Sequence, residues 1–127
     1  LAMSLRADAA RLEAGNPALL PVFVLYNALA RTEGLDPAAV ERHAQTLGAA
    51  LIAGLLERGR KVITPEAPAE RAGNVCFLEE DGVALAARLA ERGVLVWGGD
   101  GRIRVSAHLY NDAADVEAFF AALDAVA

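Results

Sequence analysis

The sequence has 127 residues, 55% of them hydrophobic, a length that allows one hydrophobic core and excludes two ordinary domains. The net charge of −5, from 12 basic and 17 acidic residues, argues against a general nucleic-acid or acidic-membrane surface, which needs clustered cations. The only cysteine excludes an internal disulfide, so we expect a cytoplasmic protein that binds neither nucleic acid nor membrane.

Two helices are predicted in the first half of the chain. Asn16-Pro17 is a capping residue followed by proline, and it predicts a helix that runs to about Thr32 and stops near Gly34. Asp36-Pro37 repeats the same start signal. Apolar residues then recur at spacings of three and four, which predicts a long amphipathic helix ending before Gly59: Val40, Ala44, Leu47, Leu51 and Leu55.

The second half predicts four strands and two helices. The strands are residues 61–64, residues 75–78, residues 94–97 and a run that begins at Arg102, with a tight turn at 98–101 before the last. One helix follows the acidic turn at 79–82 and ends at Gly93, and another is capped by Asn111 or Asp112. This order predicts an α+β sandwich: a small, mostly antiparallel sheet of about four strands, covered on one face by amphipathic helices.

The run from Arg102 to Asp112 alternates polar and apolar residues. On a strand, Ile103, Val105, Ala107 and Leu109 line one face, and Arg102, Arg104, Ser106, His108 and Tyr110 line the other. The polar face is either a solvated outer face or a site for an anion, because an arginine fork suits a carboxylate or phosphate.

Three segments together resemble one family. A strand that ends in Val-Trp-Gly-Gly is followed by Arg-Ile-Arg-Val-Ser-x-His-Leu-Tyr-Asn and an acidic-capped closing helix, and residues 11–17 are similar to the family's Glu-x-Gly-Thr-x segment. This combination resembles the small C-terminal domain of class V aminotransferases, fold-type I pyridoxal phosphate enzymes that include cysteine desulfurases and kynureninases. The resemblance implies a single domain at the C-terminal end of a longer enzyme, with residues 1–34 connecting and residues 35–127 forming the small domain.

The resemblance implies roles for three residues. Asn16 occupies the place of a threonine that reaches the cofactor phosphate; the other interpretation is that its side-chain oxygen caps the helix. Arg104 matches a strand arginine near the carboxylate end of the active site, so it either binds substrate or forms a structural ion pair. His108, on the same polar face, is a second candidate for substrate binding, and a hydrogen-bonded interface histidine is the other interpretation. No catalytic residue and no metal site are expected in this chain.

The resemblance also implies parts that this chain does not carry. The lysine that holds pyridoxal phosphate belongs to the large domain, and Lys61 lacks that context, so the cofactor is expected in the full-length enzyme and not on this chain alone. Desulfurases place an arginine near the end of the strand that here ends at Trp97, which has no charge. Trp97 either is a buried core aromatic or stacks over a substrate. The resemblance implies a homodimer acting on an amino acid; the alternative is a stand-alone, non-catalytic α+β binding or dimerisation module.

Overall fold

The computed structural model describes residues 6–13 and 15–126, which form two compact units, Leu1–Leu35 and Asp36–Ala127. The first unit contains a short 3-10 turn, Ala9–Leu12, and helix α1, Leu19–Thr32. The second contains the other elements in the order α2 (Pro37–Glu57), a 3-10 turn (Pro68–Glu70), β1 (Asn74–Leu78), α3 (Gly82–Ala90), β2 (Trp97–Gly99), β3 (Arg102–Ser106) and α4 (Ala113–Val126).

Helix α1 is present as predicted but begins later than its start signal. Its N-cap is Ala18, which makes no side-chain cap hydrogen bond, so the prediction that Asn16 caps this helix is wrong. Every residue of α1 is exposed, including its large apolar side chains. None of the described helices is long and apolar enough to cross a membrane.

Helix α2 begins where the Asp36-Pro37 signal predicted. The Asp36 side chain accepts a hydrogen bond from the Ala38 N–H at 3.0 Å, and proline stands in the first turn, where its missing N–H costs nothing. Of the predicted apolar seam, Leu47, Leu51 and Leu55 are buried. The amphipathic spacing therefore identified the face of α2 that packs on the core.

The sheet is antiparallel, with strand order β1-β3-β2. It has three regular strands rather than about four, because residues 61–64 join it only through a single bridge between Val62 and Phe77. The Cys76 N–H donates to Thr64 Oγ1 at 2.8 Å instead of to a main-chain acceptor, and the residue after Thr64 is Pro65. The side-chain acceptor and the proline together end the ladder after one bridge.

The two faces of the sheet differ as the alternation predicted. Ile103 is fully buried and Val105 is 9% exposed, and their cross-strand partners Phe77 and Val75 are also fully buried. Leu51 of α2, Leu89 of α3 and Phe119 of α4 belong to the same buried cluster. The helices thus cover one face of the sheet, and the α+β sandwich is confirmed. The other face, which we call the open face, carries the strand residues that alternate with the buried ones, among them Cys76, Trp97, Arg102 and Arg104.

Strand β2 is displaced from the predicted strand at residues 94–97. Residues 94–96 lie outside the sheet, whereas Gly98 and Gly99, predicted as part of a turn at 98–101, are paired with β3. After α3, Gly93 has a φ of +80°, and the Val94 N–H donates to the Leu89 carbonyl at 3.0 Å. This glycine-based helix cap commits the Val94 N–H to the end of α3. Sheet pairing starts only at Trp97, and Asp100 (φ 49°) and Gly101 (φ 70°) then form the two-residue turn to β3.

Helix α4 is tied to α2 by an ion pair. Arg58, at the end of α2, donates from Nε and Nη2 to the two carboxylate oxygens of Asp124 at 2.6 and 2.7 Å, and its guanidinium lies 4.3 Å from the Phe120 ring centroid. The Arg58 hydrogen bond lowers the pKa of Asp124, and hydrogen bonds from Asn111 and the Asp112 N–H lower the pKa of Asp115. Both carboxyls therefore favour the folded state in their ionised form.

Because these two pKa values are lowered, the stability of the folded chain should decrease at acidic pH. A carboxyl with a depressed pKa in the folded state contributes stability above its unfolded pKa of about 3.9, and the contribution is lost as pH falls below that value. We expect the melting temperature to fall from pH 5 to pH 2, and to fall less in Asp124→Asn, which has already lost the pair. Thermal unfolding followed by circular dichroism checks this. An equal fall in both proteins would contradict it.

Candidate functional site

The open face of the sheet has a short cross-strand row at its centre. Arg104 on β3 pairs with Cys76 of β1 on one side and with Trp97 of β2 on the other. Because directly opposed residues of antiparallel strands point to the same face, all three side chains belong to the open face. In the neighbouring rows, Arg102 stands between Leu78 and Gly99, and Ser106 Oγ donates to Asn74 Oδ1 at 2.7 Å.

Arg104 is exposed and has no acidic partner. Among the residues that the structure describes, no carboxylate oxygen lies within 4.0 Å of its guanidinium, whereas Arg102 lies 3.5 Å from Asp100. The predicted alternative of a structural ion pair is therefore not formed by the described residues. An arginine whose donors are not used by a carboxylate can bind one from a ligand through two parallel hydrogen bonds.

The Trp97 ring lies beside both arginines of β3. The Arg104 and Arg102 guanidinium carbons are 5.3 and 5.6 Å from its centroid, within the range of cation–π attraction. The ring extends along β2 over Gly99, where an added Cβ would be 3.0 Å from the ring atom Cζ2. Trp97 is 40% exposed, so it is not the buried core aromatic that was the alternative for a substrate-stacking residue.

His108 lies beyond the end of the strand. β3 ends at Ser106, so the alternation that was expected to extend to His108 does not hold there. The His108 N–H donates to Asn111 Oδ1 at 2.9 Å, and its ring is 5.0 Å from the Tyr110 ring. His108 is thus exposed on the loop between β3 and α4. No hydrogen bond joins it to Arg104 among the described residues.

A groove of about 440 Å³ lies next to this loop, and the sequence did not point to it. It opens between residues 94–96 and the end of β3, where the two segments separate. Its floor is apolar, with Val105, Val116 and Phe119, and Tyr110 and Asn111 lie on its wall. Continuous β patterning through 94–97 predicted a paired strand at this place, so the local pattern contained no signal for the groove.

Asn16 lies in the first unit, on an exposed bend before α1. Its amide makes no hydrogen bond with any described residue, so its donor is available, as a phosphate contact requires. Ala14, inside the motif of residues 11–17, lies outside the described residues.

The remaining reactive side chains have ordinary surroundings. Lys61 is exposed and Cys76 is half-buried in the middle of β1. His43 Nε2 is 2.8 Å from the Asn111 carbonyl oxygen, which connects α2 with the loop before α4. Within residues 6–13 and 15–126, no three His, Cys, Asp or Glu residues are grouped so that they could hold a metal ion.

Two known proteins that are similar to this chain in sequence carry the same description. No protein-family model matches the chain. A probable cysteine desulfurase of Pseudomonas aeruginosa is 38% identical over 128 residues, covering 88% of this chain and 31% of that protein. A probable cysteine desulfurase of Pseudomonas putida is 34% identical over 126 residues, with the same two coverages of 88% and 31%. The chain therefore spans about a third of the length of these relatives.

Solved structures show the same fold. The apo cysteine desulfurase of Thermococcus onnurineus superposes with a TM-score of 0.88 and 24% identity, over 97% of this chain and 34% of that one. A cysteine desulfurase of Escherichia coli superposes with a TM-score of 0.80 and 22% identity, over 94% of this chain and 33% of that one. At these identities the likeness concerns the fold alone.

Proposed function

Since the homologues of this chain are cysteine desulfurases, of the class V aminotransferase family of fold-type I pyridoxal phosphate enzymes, we propose that it is the C-terminal small domain of such an enzyme. The longer protein is a transferase or lyase that acts on an amino acid, works as a homodimer and resides in the cytoplasm. Arg104 on the open face binds the substrate carboxylate. Its exposed guanidinium, without an acidic partner among the described residues, is the observation that carries this proposal.

Helix α1 supports the view that the chain is part of something larger. Its exposed apolar side chains point in all directions around the helix axis: Leu19, Leu20, Val22, Phe23, Val24, Leu25, Tyr26 and Leu29. A helix that is apolar all round is either buried in a large protein or spans a membrane. With 14 residues, α1 is about 21 Å long, short of the roughly 30 Å hydrocarbon core.

Burial of α1 has a large energetic benefit. Fully burying each large apolar side chain is worth about 1.5–3 kcal/mol, so several such residues together exceed the net stability of many domains. We propose that the cover is the part of the longer protein that this chain does not span. In the alternative, a stand-alone module, a second copy covers the same helix.

The described residues do not make a complete pyridoxal phosphate site. Lys61 is exposed at the edge of the sheet, and no enclosed lysine is present for attachment of the cofactor. What the chain offers is a cation for a carboxylate, Arg104, and an available amide for a phosphate, Asn16. In this proposal the residues of this chain therefore bind and orient groups of the substrate and of the cofactor, and the large domain holds the cofactor itself.

Arg104 and His108 have different tasks in this proposal. A bidentate guanidinium–carboxylate pair fixes both the position and the plane of the carboxylate, and it therefore orients the bonds at the neighbouring α-carbon. His108, exposed on the loop after β3, is a second donor toward the substrate. Cysteine is the first substrate to test because the relatives are named as cysteine desulfurases, but Trp97 replaces the arginine expected at the end of this strand.

The test is to read the gene upstream of Leu1 and to purify the protein that it encodes. We expect a preceding domain of several hundred residues and a yellow protein with one cofactor per subunit. The chain alone should show no cofactor absorption after mixing with pyridoxal phosphate. A start codon close to Met3 would favour the stand-alone module, and a stoichiometric, borohydride-trapped adduct on Lys61 would contradict our view of the cofactor site.

A further inference from the structure

We propose that Trp97 is a positioning residue that holds the Arg104 guanidinium in its carboxylate-binding orientation. This inference rests on the proposed role of Arg104 and adds to it the residue that controls its geometry. The two residues are direct cross-strand partners, and the guanidinium carbon of Arg104 lies 5.3 Å from the centre of the indole ring.

An arginine on an open sheet face is otherwise poorly fixed. Its side chain has several rotatable bonds, and ordering them on ligand binding costs conformational entropy. Arg104 makes no side-chain hydrogen bond and no ion pair with the residues that the structure describes. Among the described residues, the face of Trp97 is therefore the surface against which the Arg104 guanidinium lies. Contact with the aromatic face restricts the position of the guanidinium without using its N–H groups, which can therefore bind a carboxylate.

Trp97 is itself fixed by the strand that carries it. Trp97 and Gly99 are two residues apart on β2, so they share the open face, and the indole lies over the glycine. The missing side chain at Gly99 leaves the room that the ring occupies, since an added Cβ would be 3.0 and 3.1 Å from two ring atoms. In this position the indole has the Arg104 and Arg102 guanidinium carbons of β3 at 5.3 and 5.6 Å from its centroid.

Arg102 also lies beside the Trp97 ring, but unlike Arg104 it has an acidic residue nearby. Its guanidinium carbon is 5.6 Å from the indole centroid, and Nη2 lies 3.5 Å from Asp100. Arg102 therefore has a partial acidic partner, and Arg104 has none among the described residues. Of the two arginines beside the indole, Arg104 is the one without a carboxylate partner among the described residues. An anion that approaches the indole is therefore expected to bind to Arg104.

The test measures substrate affinity in the full-length enzyme with Trp97→Leu and Trp97→Phe, with Arg104→Gln and with the Trp97→Leu/Arg104→Gln double variant. We expect Trp97→Leu to raise KM for the amino acid by about two- to fivefold, the range of an exposed cation–π contact, with kcat nearly unchanged. Trp97→Phe should restore most of the affinity because it keeps an aromatic face. In the Arg104→Gln background, Trp97→Leu should add nothing.

A second variant keeps the test valid if Trp97→Leu does not fold. Gly99→Ala retains the indole and displaces it, so it should raise KM in the same direction, and the melting temperature of each variant is recorded beside its kinetics. Equal effects of Trp97→Leu with and without Arg104 would overturn the positioning role. If Arg104→Gln itself leaves KM unchanged, the proposed function of Arg104 fails instead, so the two failures are distinguishable.

Discussion

Replacing Arg104 with glutamine in the full-length enzyme is expected to lower kcat/KM for the amino-acid substrate by about 10- to 100-fold. Hydrogen bonds to a charged group are worth about 1.5–3 kcal/mol, and 1.4 kcal/mol corresponds to a factor of ten. The loss follows from the geometry of the open face, because Arg104 stands at its centre with no carboxylate of the described chain to occupy it. Steady-state kinetics with the amino acid check this expectation.

The decisive control is a substrate analogue that lacks the carboxylate. The corresponding decarboxylated amine cannot use Arg104, so its kinetics or cofactor spectral response should be the same in the wild type and in Arg104→Gln. Arg104→Lys should recover part of the loss, since it keeps the charge but not the bidentate fork. Arg88→Gln, an exposed arginine on α3, removes the same charge from the helical layer and should have no effect. An equal loss for amine and amino acid would refute carboxylate binding.

Replacing Gly98 with alanine is expected to destabilise the second unit by at least about 3 kcal/mol, the upper part of the range for overpacking. Gly98 is a residue of β2 on the face that packs against α3. A Cβ there would overlap the Gly82 carbonyl oxygen and would lie 2.9 Å from the Cβ of Ala86. The obstacle is backbone at the first turn of a helix, so no side-chain rotation relieves it.

Gly48→Ala is the matched control for this substitution. Gly48 lies inside α2, and a Cβ there meets only ordinary contacts at 3.9 and 4.0 Å. Because alanine is the better helix former, we expect Gly48→Ala to be neutral or to stabilise by up to about 1 kcal/mol. Urea unfolding of the two variants gives both free energies, and similar midpoints would show that β2 does not pack tightly on α3.

Gly98 and Trp97 point to opposite faces of β2. Gly98 lets β2 approach α3, and its neighbours Trp97 and Gly99 shape the open face beside Arg104. A substitution at 98 should therefore reduce activity only through loss of folded protein, whereas a substitution at 97 should change substrate affinity with the fold intact. Measurements of stability and affinity in parallel separate these effects.

The candidate site was only partly predictable. The alternation in β3 predicted an open face with Arg104 on it, because side chains on a strand alternate between faces whatever the partner strand is. The same alternation wrongly placed His108 on the strand, because nothing in the local pattern marks the end at Ser106. The contact between Trp97 and Arg104 depends on the register of the hairpin, which the length of the turn sets. The predicted turn at 98–101 is two residues longer than the observed turn, so the sequence did not predict this pair.

The sequence by itself determined the features that neighbours along the chain set. The Asp36-Pro37 start of α2, its apolar seam and the buried face of β3 follow from a cap signal and from periodicity. The tertiary structure alone decided what depends on competition between distant groups. The Val94 N–H bonds to the end of α3 instead of to the sheet, and Thr64 Oγ1 takes the Cys76 N–H, so β2 is short and the fourth strand is a single bridge. Which acceptor each of these two N–H groups bonds to is settled only when the elements pack, because the competing acceptors are distant in sequence.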